Sequence, residues 1–121
     1  MQIDLTIHSF SLRHHFAHVP GFDAIAFADL ARSYGLSGIS LSLNDPDFRH
    51  LGGRDGARMD ALRAHLARLG MSLEIDTSGT GPAHMRRMLG VAARMGADTL
   101  RTYTRHGGDP AAMLAATRDD L

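Results

Sequence analysis

The sequence predicts an α/β fold of parallel (β/α) units, the first four units of a TIM-type (β/α)8 barrel, so that residues 1–121 form a single partial domain, a half-barrel. Two observations predict it. Four short stretches alternate polar and apolar residues with a period of two, and each is followed by a stretch with helical spacing. One side of every alternating stretch is polar, whereas a parallel sheet covered by helices on both faces has near-continuous apolar strands.

The first strand is expected over residues 3–8 (IDLTIH), with Ile3, Leu5 and Ile7 on one side and Asp4, Thr6 and His8 on the other. Phe27, Leu30, Ala31 and Tyr34 follow the i, i+3, i+4, i+7 spacing of a helix, and Gly35 stands where its C-terminal cap belongs. The second strand is GISLSLN, residues 38–44, with Ser40, Ser42 and Asn44 on its polar side. Met59, Leu62, Leu66 and Leu69 form the next helical stripe, ended by Gly70. SLEID, residues 72–76, is the third strand, with Glu74 and Asp76 opposite Leu73 and Ile75. Met85, Met88, Leu89 and Ala92 form a third stripe, with Pro82 near its start and Gly96 at its end. TLRTYT, residues 99–104, is the fourth strand, with Arg101 and Tyr103 on the polar side, and a last helix opens at Asp109-Pro110.

Strands separated by helices run parallel, because no tight hairpin joins them. A parallel sheet with helices on one face and a polar interior on the other is the arrangement of a (β/α) barrel, which needs eight units in about 250 residues. The alternative is a small flavodoxin-like domain, which places phosphate-binding glycines after the first strand. That position holds SFSLRHHF, with no glycine before Gly21, and the half-barrel is favoured.

Thirteen basic and thirteen acidic residues cancel, so no charge excess draws the chain to nucleic acid or to an anionic membrane. All thirteen basic residues are arginine, and with the abundant Ala and Gly this suggests a GC-rich bacterial genome. There is no cysteine, hence no disulfide framework and no thiolate metal site. The N-terminus alternates rather than forming the apolar run of a signal peptide, and the apolar stretches fall short of a membrane span. A cytoplasmic protein with no nucleic-acid or membrane partner is the expectation.

The runs FADLARSYGLSGISLSL, LRAHLARLGMSLEIDTSGT and MLGVAARMGADTLRTYT resemble the sugar phosphate isomerase/epimerase family, the xylose isomerase-like TIM barrels. Gly35-Leu36-Ser37-Gly38-Ile39, Gly70-Met71-Ser72-Leu73 and Gly96-Ala97-Asp98-Thr99-Leu100 match the family's rhythm of helix, glycine and short strand. The likeness covers nearly the whole chain and the N-terminal half of the family's barrel. Many members carry a glutamate in a G-[IV]-E-[LI] run, where this chain has Gly38-Ile39-Ser40-Leu41. The resemblance implies a divalent metal (Mn, Mg, Co or Zn) in the full-length enzyme. Its ligands, two Glu, an Asp and a His that include the proton-moving carboxylates, come from later strands, so no metal ligand and no catalytic residue is assigned here.

Substrate-binding candidates lie at strand ends on the polar side and in the first βα loop. His8 either looks into the barrel or is a core histidine bonded to a neighbouring strand. Asn44 closes the second strand. Asp76 either holds a sugar hydroxyl or caps the Thr77-Ser78-Gly79-Thr80-Gly81 loop, which lacks the spacing of a P-loop. Arg101 either clamps a phosphate or carboxylate, or pairs with Glu74 inside the barrel. His14, His15 and His18 crowd the first loop. His14 and His18 would share a helical face usable by zinc, yet Pro20 and Gly21 follow and no glutamate lies between them. The mouth of a substrate pocket, with His14 and His15 beside Arg13, or a solvated rim, is preferred to a metal site.

Two functions follow. The chain contributes half of the pocket of a metal-dependent sugar isomerase or epimerase, in which a carboxylate takes a proton next to a carbonyl of a sugar or polyhydroxy acid. Alternatively it is an inert half-barrel without the metal centre, self-associating through open strand edges. Endonuclease IV-type repair is disfavoured by the balanced charge.

Overall fold

The computed structural model describes residues 2–121. Four strands, β1 (Thr6–His8), β2 (Gly38–Ser42), β3 (Ser72–Asp76) and β4 (Thr99–Arg101), form one sheet in the order β1-β2-β3-β4. Every neighbouring pair is parallel. Five helices accompany them: α1 (Arg13–His18), α2 (Ala24–Ser33), α3 (Gly56–Leu69), α4 (Pro82–Met95) and α5 (Pro110–Asp120), with a 3-10 turn over Ser9–Leu12. The chain is α/β with an all-parallel sheet. The strand order has no reversal, unlike the doubly wound flavodoxin-like sheet, whose binding crevice lies where the order reverses.

Local chemistry sets the helix ends. Asp23, Asp55 and Asp109 accept the backbone N–H groups of Ala26, Arg58 and Ala112 at 2.8, 3.0 and 3.0 Å. Each such N-cap is worth about 1 kcal/mol. Gly70 and Gly96 end α3 and α4 in the left-handed region, at φ 64° and 68°. Pro82 occupies the start of α4, where its missing N–H is not needed.

Ile39, Leu41, Leu73 and Ile75 project from one side of the sheet into a core formed with Phe27, Ala28 and Ala31 of α2, Met59, Leu62 and Leu66 of α3, and Met88, Ala92 and Met95 of α4. Full burial of each large apolar side chain contributes about 1.5–3 kcal/mol. The alternation that buries these residues turns Ser40, Ser42, Glu74 and Asp76 to the opposite side.

The structure corrects several expectations. β1 and β4 are three residues long. Ile3 and Leu5 are 70% and 57% exposed, because the ladder to β2 starts at Thr6. Tyr34 leaves the core stripe because it caps α2 beyond its last helical turn, and it is exposed. Leu89 is also exposed, since each helical residue turns about 100° and Met88, Ala92 and Met95 already define the buried stripe. The first βα connection is not an open loop but holds the 3-10 turn and α1. No helix among the described residues is long and apolar enough to cross a membrane.

Candidate functional site

Parallel register places side chains in rows across the polar side of the sheet. Ser42, Asp76 and Arg101 are partners across β2, β3 and β4, and His8 and Ser40 are partners across β1 and β2. Asp76, only 5% exposed, is the centre. Its Oδ2 lies 3.0 Å from His8 Nε2 and accepts from Asn44 Nδ2 at 3.0 Å. Arg101 Nε stands 3.4 Å from Asp76 Oδ1 and 3.7 Å from Glu74 Oε1, while Ser40 donates to Glu74 Oε1 at 2.6 Å. Arg101 therefore faces both carboxylates. Asp76 Oδ1 is buried and has no hydrogen-bond partner among the described residues.

His8 is committed at both ring nitrogens. Its Nδ1 accepts the backbone N–H of Phe10 at 3.1 Å, so the neutral ring carries its hydrogen on Nε2 and donates it to Asp76. This places His8 as a positioning residue for the carboxylate, with no lone pair free to take a substrate proton. Asn44 is a second such brace, bonded to Ser42 Oγ at 3.2 Å as well as to Asp76.

These groups open into a recess of about 380 Å³ lined by His8, Ser42, Asn44, Asp76 and Arg101, with Phe10 and Tyr103 at its rim. Both rim rings are more than half exposed. The structure thus brings together His8, Asn44, Asp76 and Arg101, four of the residues singled out in the sequence.

His14 and His15 stand apart on α1. The His14 ring stacks on His18, centroids 6.1 Å apart and planes 9° apart, and His15 packs on Phe22. His14 lines a second recess with Phe10, Arg13, Phe16, Arg49 and His50, and His15 lines neither. Among the described residues no three His, Asp or Glu side chains come close enough to hold a metal ion.

Sequence reasoning missed Ser9 and His50. Ser9 is fully buried, and its Oγ accepts the backbone N–H of Ser42 at 2.9 Å. The same Oγ hydrogen-bonds His50 Nδ1 at 2.8 Å. His50 stacks on Phe16 at 4.3 Å. Burial pushes the His50 pKa below its ordinary 6.5; Asp45 opposes the shift, and Arg49 and His8 add to it. The loop carrying His50 turns at Phe48, a buried residue at φ 52°, a conformation sustained only by tight surroundings. DPDFRHLGGR has no periodicity, so only its richness in polar groups marked it.

No family model matches the chain. Among curated proteins it is similar to the uncharacterized protein YihM of Escherichia coli K12, with 26% identity over 93 residues. The match covers 77% of this chain and 28% of YihM, so it spans less than a third of that relative's length.

Proposed function

We propose that the chain is the N-terminal half of a (β/α)8-barrel enzyme of the sugar phosphate isomerase/epimerase type, and that its polar sheet face supplies half of the pocket for a sugar or polyhydroxy acid. The observation that carries this reading is Asp76, a buried carboxylate lining the recess, whose Oδ1 makes no hydrogen bond although Arg101 Nε stands 3.4 Å away. Leaving such an atom unsatisfied costs about 1–3 kcal/mol or more, and a ligand hydroxyl donating to it removes that penalty. His8 and Asn44 hold the carboxylate for this contact, and Arg101 offers its remaining donors to hydroxyl or carboxylate oxygens. Phe10 and Tyr103 add apolar ring surface to the lining, suited to the C–H side of a sugar. The unreversed strand order and the one-sided polar face support a barrel.

The resemblance also implies a divalent metal. In the family its ligands come from later strands, and in this reading the part of this chain's side chains is to bind and orient the substrate.

The test is saturation-transfer NMR of the chain with a panel of pentoses, hexoses and sugar acids. Transfer to carbohydrate C–H protons is expected for at least one, and is lost in Asp76→Ala. Binding by none, or binding that survives Asp76→Ala, overturns the reading.

A second reading rests on the sheet edges: β1 pairs only with β2, and β4 only with β3, among the described residues. Such edges are templates for strand pairing, so the chain by itself is inert and self-associates. Sedimentation that shows a monomer at all concentrations removes this alternative.

A further inference from the structure

We infer that the second recess, between α1 and the loop after β2, is a subsite for an anionic group, a phosphate or a carboxylate. It measures about 380 Å³, and its lining carries the guanidinium groups of Arg13 and Arg49 and the imidazoles of His14 and His50. Phe10 and Phe16 supply its apolar wall, and no acidic side chain lines it. In a chain whose charges cancel, a cavity walled only by cationic, hydrogen-bond-donating and apolar groups has a definite electrostatic sign.

The donors are set in place by contacts that leave most of their capacity unused. The Arg13 guanidinium lies 4.7 Å over the Phe10 ring and gives one N–H to the Phe10 carbonyl at 3.2 Å. A guanidinium has five N–H donors in a planar fork matched to phosphate and carboxylate oxygens. Arg49 Nε is 3.7 Å from Asp45 Oδ1, but Asp45 also accepts the backbone N–H groups of Asp47 and Arg49 and lies outside the recess. His50 is oriented by Ser9, whose hydroxyl occupies Nδ1, and by its stack on Phe16. With Nδ1 engaged by Ser9, Nε2 is the ring nitrogen left for a ligand, and the protonated ring donates from it.

Phe10 lines both recesses. An anion seated against Arg13 and His50 therefore adjoins the hydroxyl-binding groups around Asp76, and the ligand spanning both is an acidic or phosphorylated polyol. That the anion and the polyol belong to one molecule rests on the pocket proposed above; the preference of the recess for an anion does not.

The test follows the ring resonances of His14 and His50 by NMR, titrating with inorganic phosphate and, in parallel, acetate at constant ionic strength. Saturating shifts in the millimolar range, confined to this recess, are expected. They should vanish in Arg13→Ala/Arg49→Ala, return with Arg13→Lys/Arg49→Lys, and persist in Asp76→Asn. Saturation by phosphate alone or acetate alone names the anion. A linear, unsaturating drift shared by exposed arginines across the chain is ionic screening and overturns the proposal. A phosphate ester of a sugar bound by the chain should bind about tenfold more tightly than the free sugar. Saturable phosphate without sugar binding retains the subsite and discards the polar-face pocket; sugar binding without phosphate does the reverse.

Discussion

His8 Nε2 and Asp76 Oδ2 meet at 3.0 Å although 68 positions separate them in the chain, and although β2 lies between their strands. They reach each other because β2 presents only serines there: Ser40 is the register partner of His8, and Ser42 that of Asp76. Small side chains on the middle strand let the outer two converge above it. The carboxylate is thereby gripped by hydrogen bonds on Oδ2, while Oδ1 makes none and faces Arg101 Nε at 3.4 Å.

That asymmetry separates stability from binding. Asp76→Asn keeps a carbonyl acceptor for His8 and Asn44, loses the charge assistance of those bonds and the ion pair with Arg101, and removes the cost of burying a charge. These effects offset each other, so urea unfolding should show a change within about 1 kcal/mol while carbohydrate binding is lost. A loss above about 3 kcal/mol would assign the carboxylate to the fold instead.

The His50 pKa lies below 6.5 in the folded chain, chiefly through burial. The unfolded state therefore binds the proton first as pH falls. The neutral ring's stabilisation is present above pH 6.5 and is lost as pH falls from there through the folded pKa. His50→Gln, which cannot titrate, should flatten the stability-against-pH curve in that window, read by denaturant melts at a series of pH values. An unchanged slope would mean that His50 does not carry it.

Two glycines make opposite forecasts. Gly38 is wedged between β1 and β3, where a methyl would lie 2.9 Å from the Ser72 carbonyl oxygen and 3.0 Å from Thr6 Cγ2. Gly38→Ala should destabilise by about 1–3 kcal/mol as the strands are forced apart. Gly90, inside α4, has open space around it, and Gly90→Ala should stabilise by about 0.5–1 kcal/mol. Thermal melts of the pair check both signs.

α5 has no buried residue and is held by polar contacts. Thr80 Oγ1 donates to Asp120 Oδ2 at 2.7 Å, His106 Nε2 lies 2.6 Å from the same oxygen, and Thr117 Oγ1 donates to Thr104 Oγ1 at 2.8 Å. The His106 bond, and then the Thr80 bond, hold the Asp120 carboxyl below its ordinary 3.8. The stabilisation is present above that value and disappears as pH falls through the lowered folded pKa. Hydrogen exchange should show residues 110–120 losing protection in acid before β2 does, and Asp120→Asn should produce that loss at neutral pH. Equal protection of α5 and β2 throughout would refute the picture.

The sheet and helices α2, α3 and α4 were legible because alternation and stripes such as Met59, Leu62 and Leu66 follow from which side is buried, whereas α5 was legible only from its Asp109-Pro110 start. Helix ends were legible at Gly70 and Gly96 for the same local reason that glycine tolerates positive φ. The strand-end cluster around Asp76 was legible because register and period place His8, Asn44, Asp76 and Arg101 on one face. The length of β1 was not, because the Ile3 and Leu5 pattern continues past the point where a neighbour exists. α1 was hidden by a histidine-rich segment of weak helix propensity ahead of Pro20 and Gly21. The Ser9–His50 pair is a contact across 41 positions between the 3-10 turn after β1 and the loop after β2, which no local signal encodes.

The interleaving of Ser40, Ser42, Glu74 and Asp76 with Ile39, Leu41, Leu73 and Ile75 also bears on how such a chain can diverge. Core and ligand face are written in alternate letters of the same strands, so a single-residue insertion or deletion there exchanges them and destroys both at once. The segments after β1 and β2 carry no such double constraint. Lineages descended from this scaffold should therefore vary in length and chemistry around Phe10–His18 and Asp45–Arg54, acquiring new ligand preferences there, while their strands drift only by substitution.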